Sequence, residues 1–350
     1  MALTMGQLDQ GVALSLDALQ ALKAVYADVA QVVSPVFAVG GCVRDSLLGK
    51  PITDYDFTTP LLPDAVEAAV RAAGRRPYVV GKRFGTVGFK LNGRFFEVTT
   101  FRAEQYRKHD RRPEVIFLTE LDGDLSRRDF TFNAMAFDGT KLIDPYGGQA
   151  DLRLGLVRAV GVAEDRLQDD PLRILRAARF AAVMGFSVDL ALLDAMRLHW
   201  PLLAKVSRER WAIELEKLLA GDDFWLGLDI LRKSGALQLV LPELAWLGDE
   251  QWQQIEAELP EDEIRASLSA TEEEAGQLLE IEDAATKRRR LENSRLSLLL
   301  LAAARARGLE PERARVVAIE QAQRLAIGLR LSKVQTAELI NNFASLTCNF

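Results

Sequence analysis

The sequence predicts an α+β protein, with an N-terminal α/β head built on a mixed sheet followed by an all-helical body and tail. Two observations carry this. Up to about Asp151, short apolar runs alternate with helical patterns and are punctuated by Gly40-Gly41, Asn92-Gly93 and Asp144-Pro145-Tyr146-Gly147-Gly148. Beyond that point the strand signals fade and apolar residues recur at helical spacing, without a fixed-period repeat. A chain of 350 residues has room for two or three domains, and the divisions fall at 1–155 for the head, 156–225 for a helical neck and 226–350 for a helical body and tail.

Leu14 to Val33 is amphipathic, with Leu16, Leu19, Leu22, Val25 and Val29 at helical spacing. Val36 to Val39 is a short buried strand, and Asp45 to Leu48 continues a helix entered through the double glycine. Tyr55 to Thr58 is extended and Asp64 to Ala73 helical. Tyr78 to Val80, Thr86 to Leu91 and Phe95 to Phe101 are strand-like, the last two joined by Asn92-Gly93, a strong hairpin signal. Arg102 to Pro113 is polar with few apolar anchors and reads as a mobile loop. Val115 to Leu118 and Lys141 to Ile143 complete the extended segments. Asp170 to Val183 is a long helix whose opening Asp169-Asp170-Pro171 suits a cap and a first turn. Helices follow at Leu190 to His199, Arg208 to Leu219, Phe224 to Ser234, Asp249 to Glu258, Leu291 to Arg307, Pro311 to Leu329 and Ser332 to Ser345.

Apolar residues at 49% and charged residues at 27% are those of an ordinary globular chain, which sets aside fibrous and disordered classes. No apolar run approaches the roughly 20 residues that span a bilayer, and Met1 to Gly11 lacks a basic start and apolar core, so neither a membrane span nor a signal peptide is expected. Cys42 and Cys348 cannot build a disulfide framework, which favours a reducing, cytoplasmic setting. The net charge of −6 does not advertise a nucleic-acid binder. The charge is unevenly distributed, however. Acidic residues dominate from Glu243 to Asp283, and basic ones from Lys287 to Lys333, led by Lys287-Arg288-Arg289-Arg290 with Arg295 and Arg330 among those behind.

The chemistry begins at Gly40-Gly41-Cys42-Val43-Arg44-Asp45, followed by Asp54-Tyr55-Asp56. Residues i and i+2 of a strand share a face, so extended backbone would aim both aspartates at one point. Hard oxygen donors of this kind suit Mg²⁺, which typically takes one or two carboxylates and fills its shell with water and substrate phosphates. A Gly-Gly turn also lets backbone N–H groups approach a phosphate. Glu97 becomes a third carboxylate at the same point if its strand lies beside the aspartates. Arg127-Arg128-Asp129 could be a solvated charge run, but it continues directly into apolar residues, and guanidinium suits phosphate or a base edge. Asp170, Arg173, Arg176 and Arg179 recur every three residues among Ile174, Leu175, Ala177, Ala178 and Phe180. An ordinary ion pair would account for Asp170 and Arg173, but three arginines on a largely apolar helix favour a ligand, and Asp beside Arg can read a base edge. His109 and His199 have no neighbours suited to a general base or zinc, and neither Gly-x-x-x-x-Gly-Lys nor Gly-x-Gly-x-x-Gly occurs.

In this order, from Val36 to Ala220, the motifs resemble the class II tRNA nucleotidyltransferases (the CCA-adding enzymes) and bacterial poly(A) polymerases. The resemblance implies a polymerase beta-like head, with Asp54 and Asp56 holding catalytic Mg²⁺ and Glu97 as the third catalytic carboxylate. It implies that Gly41, Arg44 and Arg128 contact sugar and triphosphate, and that Asp170 and Arg173 pair with an incoming C or A beside Arg176 and Arg179. Glu209-Arg210 with Glu214 and Leu215 is similar to the helical motif that follows. The template motif opens with Asp169 where the family has Glu, and Arg102 to Pro113 falls where the family has a loop involved in switching to A addition. The implied partners are CTP, ATP and the tRNA 3′ end, with tRNA on the tail, no membrane and no evident protein partner. Complete CCA addition, A-only or CC-only addition, poly(A) synthesis and a non-catalytic RNA-binding protein of the same fold stay open.

Overall fold

A computed structural model describes residues 19–105, 114–258, 284–333, 335–337 and 339–340. The chain divides into two compact units, Met1–Asp169 and Asp170–Phe350. Much of the loop expected at Arg102 to Pro113, His109, most of the acidic Glu243 to Asp283 stretch, half of the last helix at Ser332 to Ser345 and Cys348 lie outside the described residues.

The first unit opens with α1 (Leu19–Ala30), whose Leu22, Val25 and Val29 are buried. Then come β1 (Phe37–Val39), α2 (Gly41–Leu47), β2 (Asp56–Thr59), α3 (Pro63–Ala72), β3 (Pro77–Tyr78), β4 (Thr86–Leu91) and β5 (Arg94–Thr100). The β4–β5 turn is the expected hairpin, with Asn92 at φ 51° and Gly93 at φ 77°, the paired left-handed residues of a type I′ turn. β6 (Arg102–Gln105) and β7 (Glu114–Phe117) pair antiparallel, so Arg102 belongs to a strand where a loop was expected. α4 (Leu121–Ser126), β8 (Ala136–Phe137), β9 (Leu142–Ile143), α5 (Gly148–Leu154) and α6 (Ala163–Asp169) complete the unit. Among the described residues seven of these strands form one sheet in the order β3-β4-β5-β2-β1-β8-β9, apart from the β6–β7 pair. Only β2 and β5 run parallel in it, with Asp56 opposite Glu97 and Thr58 opposite Thr99.

The two faces of this sheet differ sharply. One carries Phe57, Val87, Phe89, Phe96 and Val98, each at most 2% exposed. The Phe57 and Phe96 rings lie 6.1 Å apart, and Tyr26 of α1 reaches Phe57 at 6.5 Å. Each such side chain contributes about 1.5–3 kcal/mol when fully buried, so this face holds the head together. The alternate residues Asp56, Phe95 and Glu97 are exposed. Strand alternation therefore delivers the carboxylates to an open face.

In the second unit, α7 (Arg173–Met184) packs against α9 (Arg208–Leu219) and α10 (Phe224–Ser234). Around them stand α8 (Leu190–His199), α11 (Leu237–Val240) and α12 (Asp249–Glu258), and further along the chain α13 (Ala284–Arg305) pairs with α14 (Pro311–Gly328). Arg295, counted among the basic residues of the tail, is fully buried. It donates to the Leu219 and Gly221 carbonyls at the end of α9 and lies 4.5 Å from the Phe224 ring centroid. A guanidinium that satisfies the terminal carbonyls of a helix is structural; Arg295 is no part of a basic surface.

Candidate functional site

The head site is assembled where β1 meets α2. Gly40 caps α2 with φ 72°, a conformation that glycine adopts without strain. A Cβ built on it would lie 3.1 Å from Arg128 Nη1 and 4.0 Å from Asp56 Oδ2, so the turn, the guanidinium and the carboxylate crowd one point. Gly41 is the first residue of α2, beside Arg44 Nη2.

Asp56 opens β2, with Val39 opposite it on one side and Glu97 on the other. Asp54 lies just before the strand, exposed, where Thr53 Oγ1 donates to its Oδ2 at 3.4 Å. Although Asp56 is an exposed residue, its carboxyl is pushed above the ordinary aspartate range by partial desolvation. Arg128 opposes that shift and the negative charge of Asp54 adds to it. Two neighbouring carboxylates, both hard oxygen donors, fit a divalent cation. Glu97 is a ladder neighbour of Asp56 and not a formed third ligand: among the described residues, no three or more Asp, Glu, His or Cys side chains converge on a metal position. Strands about 4.8 Å apart set the backbones at that spacing and leave the longer Glu side chain free to point elsewhere. Cys42 next to them is buried, and burial pushes its thiol up to about 12, which keeps it protonated and unreactive.

The two head arginines are held in part by residues that the motif pattern did not single out, Asn133 and Asp124. Arg44 binds Asp45 through Nε at 2.8 Å and Nη2 at 2.9 Å, and its Nη1 donates to Asn133 Oδ1 at 2.8 Å. Asn133 is fixed in turn by donating to Asp129 Oδ1 at 3.0 Å. Arg128 donates to Asp124 Oδ2 at 3.0 Å, while Arg127 holds Oδ1 of the same carboxylate at 2.8 Å. Asp124 is fully buried. Burial pushes its pKa up, but the adjacent Arg128 and Arg127 outweigh that and leave it below the ordinary value. The signal was present in sequence as an acid three and four residues before two arginines, the spacing of helical ion pairs.

The second unit holds the other cluster. Asp170 stands three residues before α7 begins, in the opening turn where the sequence places a capping Asp followed by Pro171. Its Oδ1 accepts from the Leu172 N–H at 3.1 Å and its Oδ2 from Arg210 Nη2 of α9 at 2.7 Å. Arg173 starts α7, its N–H donating to the Asp170 carbonyl at 3.1 Å. Arg176 and Arg179 both meet Glu214 of α9, at 3.6 Å and 3.0 Å, and the Arg179 guanidinium lies 4.0 Å from the Phe180 ring centroid. Gly41, Arg44, Asp54, Asp56, Glu97 and Arg128 thus belong to the first unit, and Asp170, Arg173, Arg176 and Arg179 to the second.

Comparison with known proteins bears on what these clusters are. Residues 36–158 match the poly A polymerase head domain. Residues 185–247 match a probable RNA and SrmB-binding site of polymerase A. The chain is 45% identical over 216 residues to the CCA-adding enzyme of Geobacillus thermodenitrificans, covering 61% of this chain and 52% of that protein. To the CCA-adding enzyme of Streptococcus mutans it is 42% identical over 228 residues, covering 65% and 55%. The chain therefore spans about half the length of the curated relatives it matches. The fold is similar to that of the Bacillus stearothermophilus CCA-adding enzyme in complex with CTP, with a TM-score of 0.57 and 29% identity over 95% of this chain and 84% of that one. A tRNA-processing enzyme in its apo form shares the fold alone, with a TM-score of 0.65 at 22% identity over 95% of this chain and 79% of that one. Through its head domain and the segment after it, the chain belongs to the family of class II CCA-adding enzymes and poly A polymerases.

Proposed function

We propose that the chain adds C and A nucleotides from CTP and ATP to the 3′ end of tRNA without a nucleic-acid template, in the cytoplasm. One observation carries this reading: Asp56 stands in register with Glu97 on an open sheet face, with Arg128 over the Gly40 turn beside it. Relatives similar to this chain are CCA-adding enzymes, and one was solved with CTP.

Asp54 and Asp56 are the residues that would hold Mg²⁺, which when bound supplies positive charge to the phosphates and lowers the pKa of the attacking hydroxyl. Arg44 and Arg128 neutralise and orient the triphosphate, with Arg128 held on one edge by Asp124. Glu97 accepts the proton of the RNA 3′-hydroxyl. The 3′ oxygen then bonds to the α-phosphorus, the bond from that phosphorus to the bridging oxygen breaks, and pyrophosphate leaves. Arg210 fixes the carboxylate of Asp170, which accepts from the exocyclic amino group that C and A share and that U and G lack at that position. Arg173 donates to the ring acceptors, and Arg176 and Arg179 steady the nucleotide. In this scheme residues 1–155 catalyse, 156–225 read the base and 226–350 bind tRNA.

The test is incorporation of CTP and ATP, supplied separately, into tRNAs ending before the first C, after CC, and complete. Addition of C to the first and a single A to the second supports the reading, and Asp54→Ala should lower incorporation by at least about 100-fold. Near-normal incorporation by Asp54→Ala would remove the metal assignment. The match of residues 36–158 to the poly A polymerase head domain favours one second reading, a long A tail on any RNA. RNA binding with no Mg²⁺-dependent turnover would mark a non-catalytic RNA-binding protein instead.

A further inference from the structure

One row of the head sheet crosses four strands: Tyr78 on β3, Gly88 on β4, Glu97 on β5 and Asp56 on β2. Directly opposed residues share a face, so this row lies on the open side with the carboxylates. Phe95, two residues before Glu97, shares that side. Gly88 lacks a side chain where one would stand, and the Phe95 ring fills the space: a Cβ on Gly88 would lie 2.5 Å from Phe95 Cζ. The ring therefore lies flat on the sheet backbone. Tyr78 meets it edge-on, with centroids 5.4 Å apart. Both remain open to solvent, Phe95 at 45% and Tyr78 at 39%, and the exposed Lys90 stands directly opposite Phe95.

An exposed aromatic pair aligned with a carboxylate row is unlike apolar residues scattered singly over a surface. Its position relative to the rest of the site identifies what covers it. Arg128, Arg44 and the Gly40 turn, which take the triphosphate, lie on the β1 side of Asp56. In an in-line displacement the attacking and leaving oxygens stand on opposite sides of the phosphorus. With pyrophosphate departing toward β1, the attacking 3′-hydroxyl must arrive from the β5 side, and the nucleoside carrying it comes to rest over Phe95 and Tyr78.

We propose that Phe95 and Tyr78 form the stacking platform for the 3′-terminal nucleoside of the acceptor RNA, with Lys90 close to its phosphate backbone. The proposal rests on the nucleotidyltransferase reading for the direction of attack. Aromatic rings stack on every base, so this platform tolerates each successive 3′ end, C or A, without reading its sequence. It thereby separates two tasks: Asp170 and Arg173 select the incoming base, while the platform holds whichever base was added last.

The test uses the full chain and its Phe95→Ala, Tyr78→Ala and Phe95→Trp variants, with thermal unfolding to establish that each is folded. For a tRNA ending in CC, Phe95→Ala and Tyr78→Ala should raise the KM for RNA by roughly tenfold and leave the KM for ATP within about twofold. Phe95→Trp, which retains a stacking ring, should behave as the parent. Retention of a short single-stranded oligoribonucleotide ending in CC, without nucleotide, should fall in parallel. Gly88→Ala, which lifts the ring without removing it, should reproduce the loss. If the parent incorporates nucleotides and the alanine variants keep its KM for RNA, the platform is wrong and the function stands. If the parent incorporates nothing into any RNA, the function is wrong. The oligoribonucleotide retention then decides the platform, weaker binding by the alanine variants supporting it and equal binding overturning it. A raised KM for ATP with an unchanged KM for RNA also overturns it.

Discussion

Arg176 and Arg179 leave α7 three residues apart and meet one carboxylate, Glu214, which is 5% exposed. Two cations on one buried anion hold each other's geometry, and the planar guanidinium gains most from such preorganisation. Glu214→Gln keeps the shape and removes the charge. It is expected to raise the KM for CTP and ATP about tenfold while costing about 1–3 kcal/mol of stability, the range for an impaired buried polar group. Steady-state kinetics beside a urea titration check this; an unchanged KM with lowered stability would make Glu214 purely structural. The arginines themselves were legible in sequence as three-residue recurrences among apolar neighbours. Their anchor was grouped with a separate motif, because no spacing rule links residue 179 to residue 214.

At the scale of elements, α4 and the turn after it work as one device. Asp124 is buried and holds Arg127 and Arg128 on separate oxygens, and Arg128 reaches over the β1–α2 turn. The carboxyl is depressed below its ordinary value in the folded chain, where Arg128 and Arg127 outweigh burial. Its contribution to stability is therefore present at pH above the unfolded aspartate value of about 3.9 and is lost as pH falls through the depressed folded value. Asp124→Asn is expected to cost about 3 kcal/mol at neutral pH, the lower end for breaking one side of a buried ion pair, and to lie closer to the parent in strong acid. Urea unfolding at several pH values measures both, and a pH-independent difference would contradict the assignment. Helices were legible at this scale: α8, α9, α10 and α12 run where their periodicity places them. β8, α5 and α6 were not, since two to seven residues are too short for a period to register. Asn92-Gly93 identified the β4–β5 hairpin because only a few residue types tolerate two successive positive φ values.

At the scale of the molecule, the net charge of −6 conceals a basic C-terminal stretch. The structure thins that stretch: Arg295 is buried against helix carbonyls, and Arg330 pairs with Glu209 at 3.0 Å. Among the candidates for binding the RNA backbone, the Lys287-Arg288-Arg289-Arg290 run carries the most concentrated charge. Replacing these four residues by alanine is expected to weaken tRNA binding and flatten its salt dependence, by about 0.7–0.9 in logarithmic slope for each phosphate that is no longer neutralised. Affinity measured at several salt concentrations checks it; an unchanged slope would take the run off the RNA surface. Among the described residues no helix is long and apolar enough to cross a membrane.

By itself the sequence determined the fold class, the placement of most helices, and the residue types gathered at Gly40 to Asp56, Arg127-Arg128 and Asp170 to Arg179. Periodicity and turn chemistry are local, and local rules reach only a few residues along the chain. The tertiary structure alone decided that β2 and β5 lie parallel with Asp56 against Glu97, that Arg128 turns back over Gly40, and that Arg210 takes the carboxylate of Asp170. Each joins residues 40 or more positions apart. Such pairings follow from which faces are buried together, and no local pattern encodes that. The aromatic pair belongs with them: Tyr78 and Phe95 acquire a meaning only when strand register lays them in line with two carboxylates.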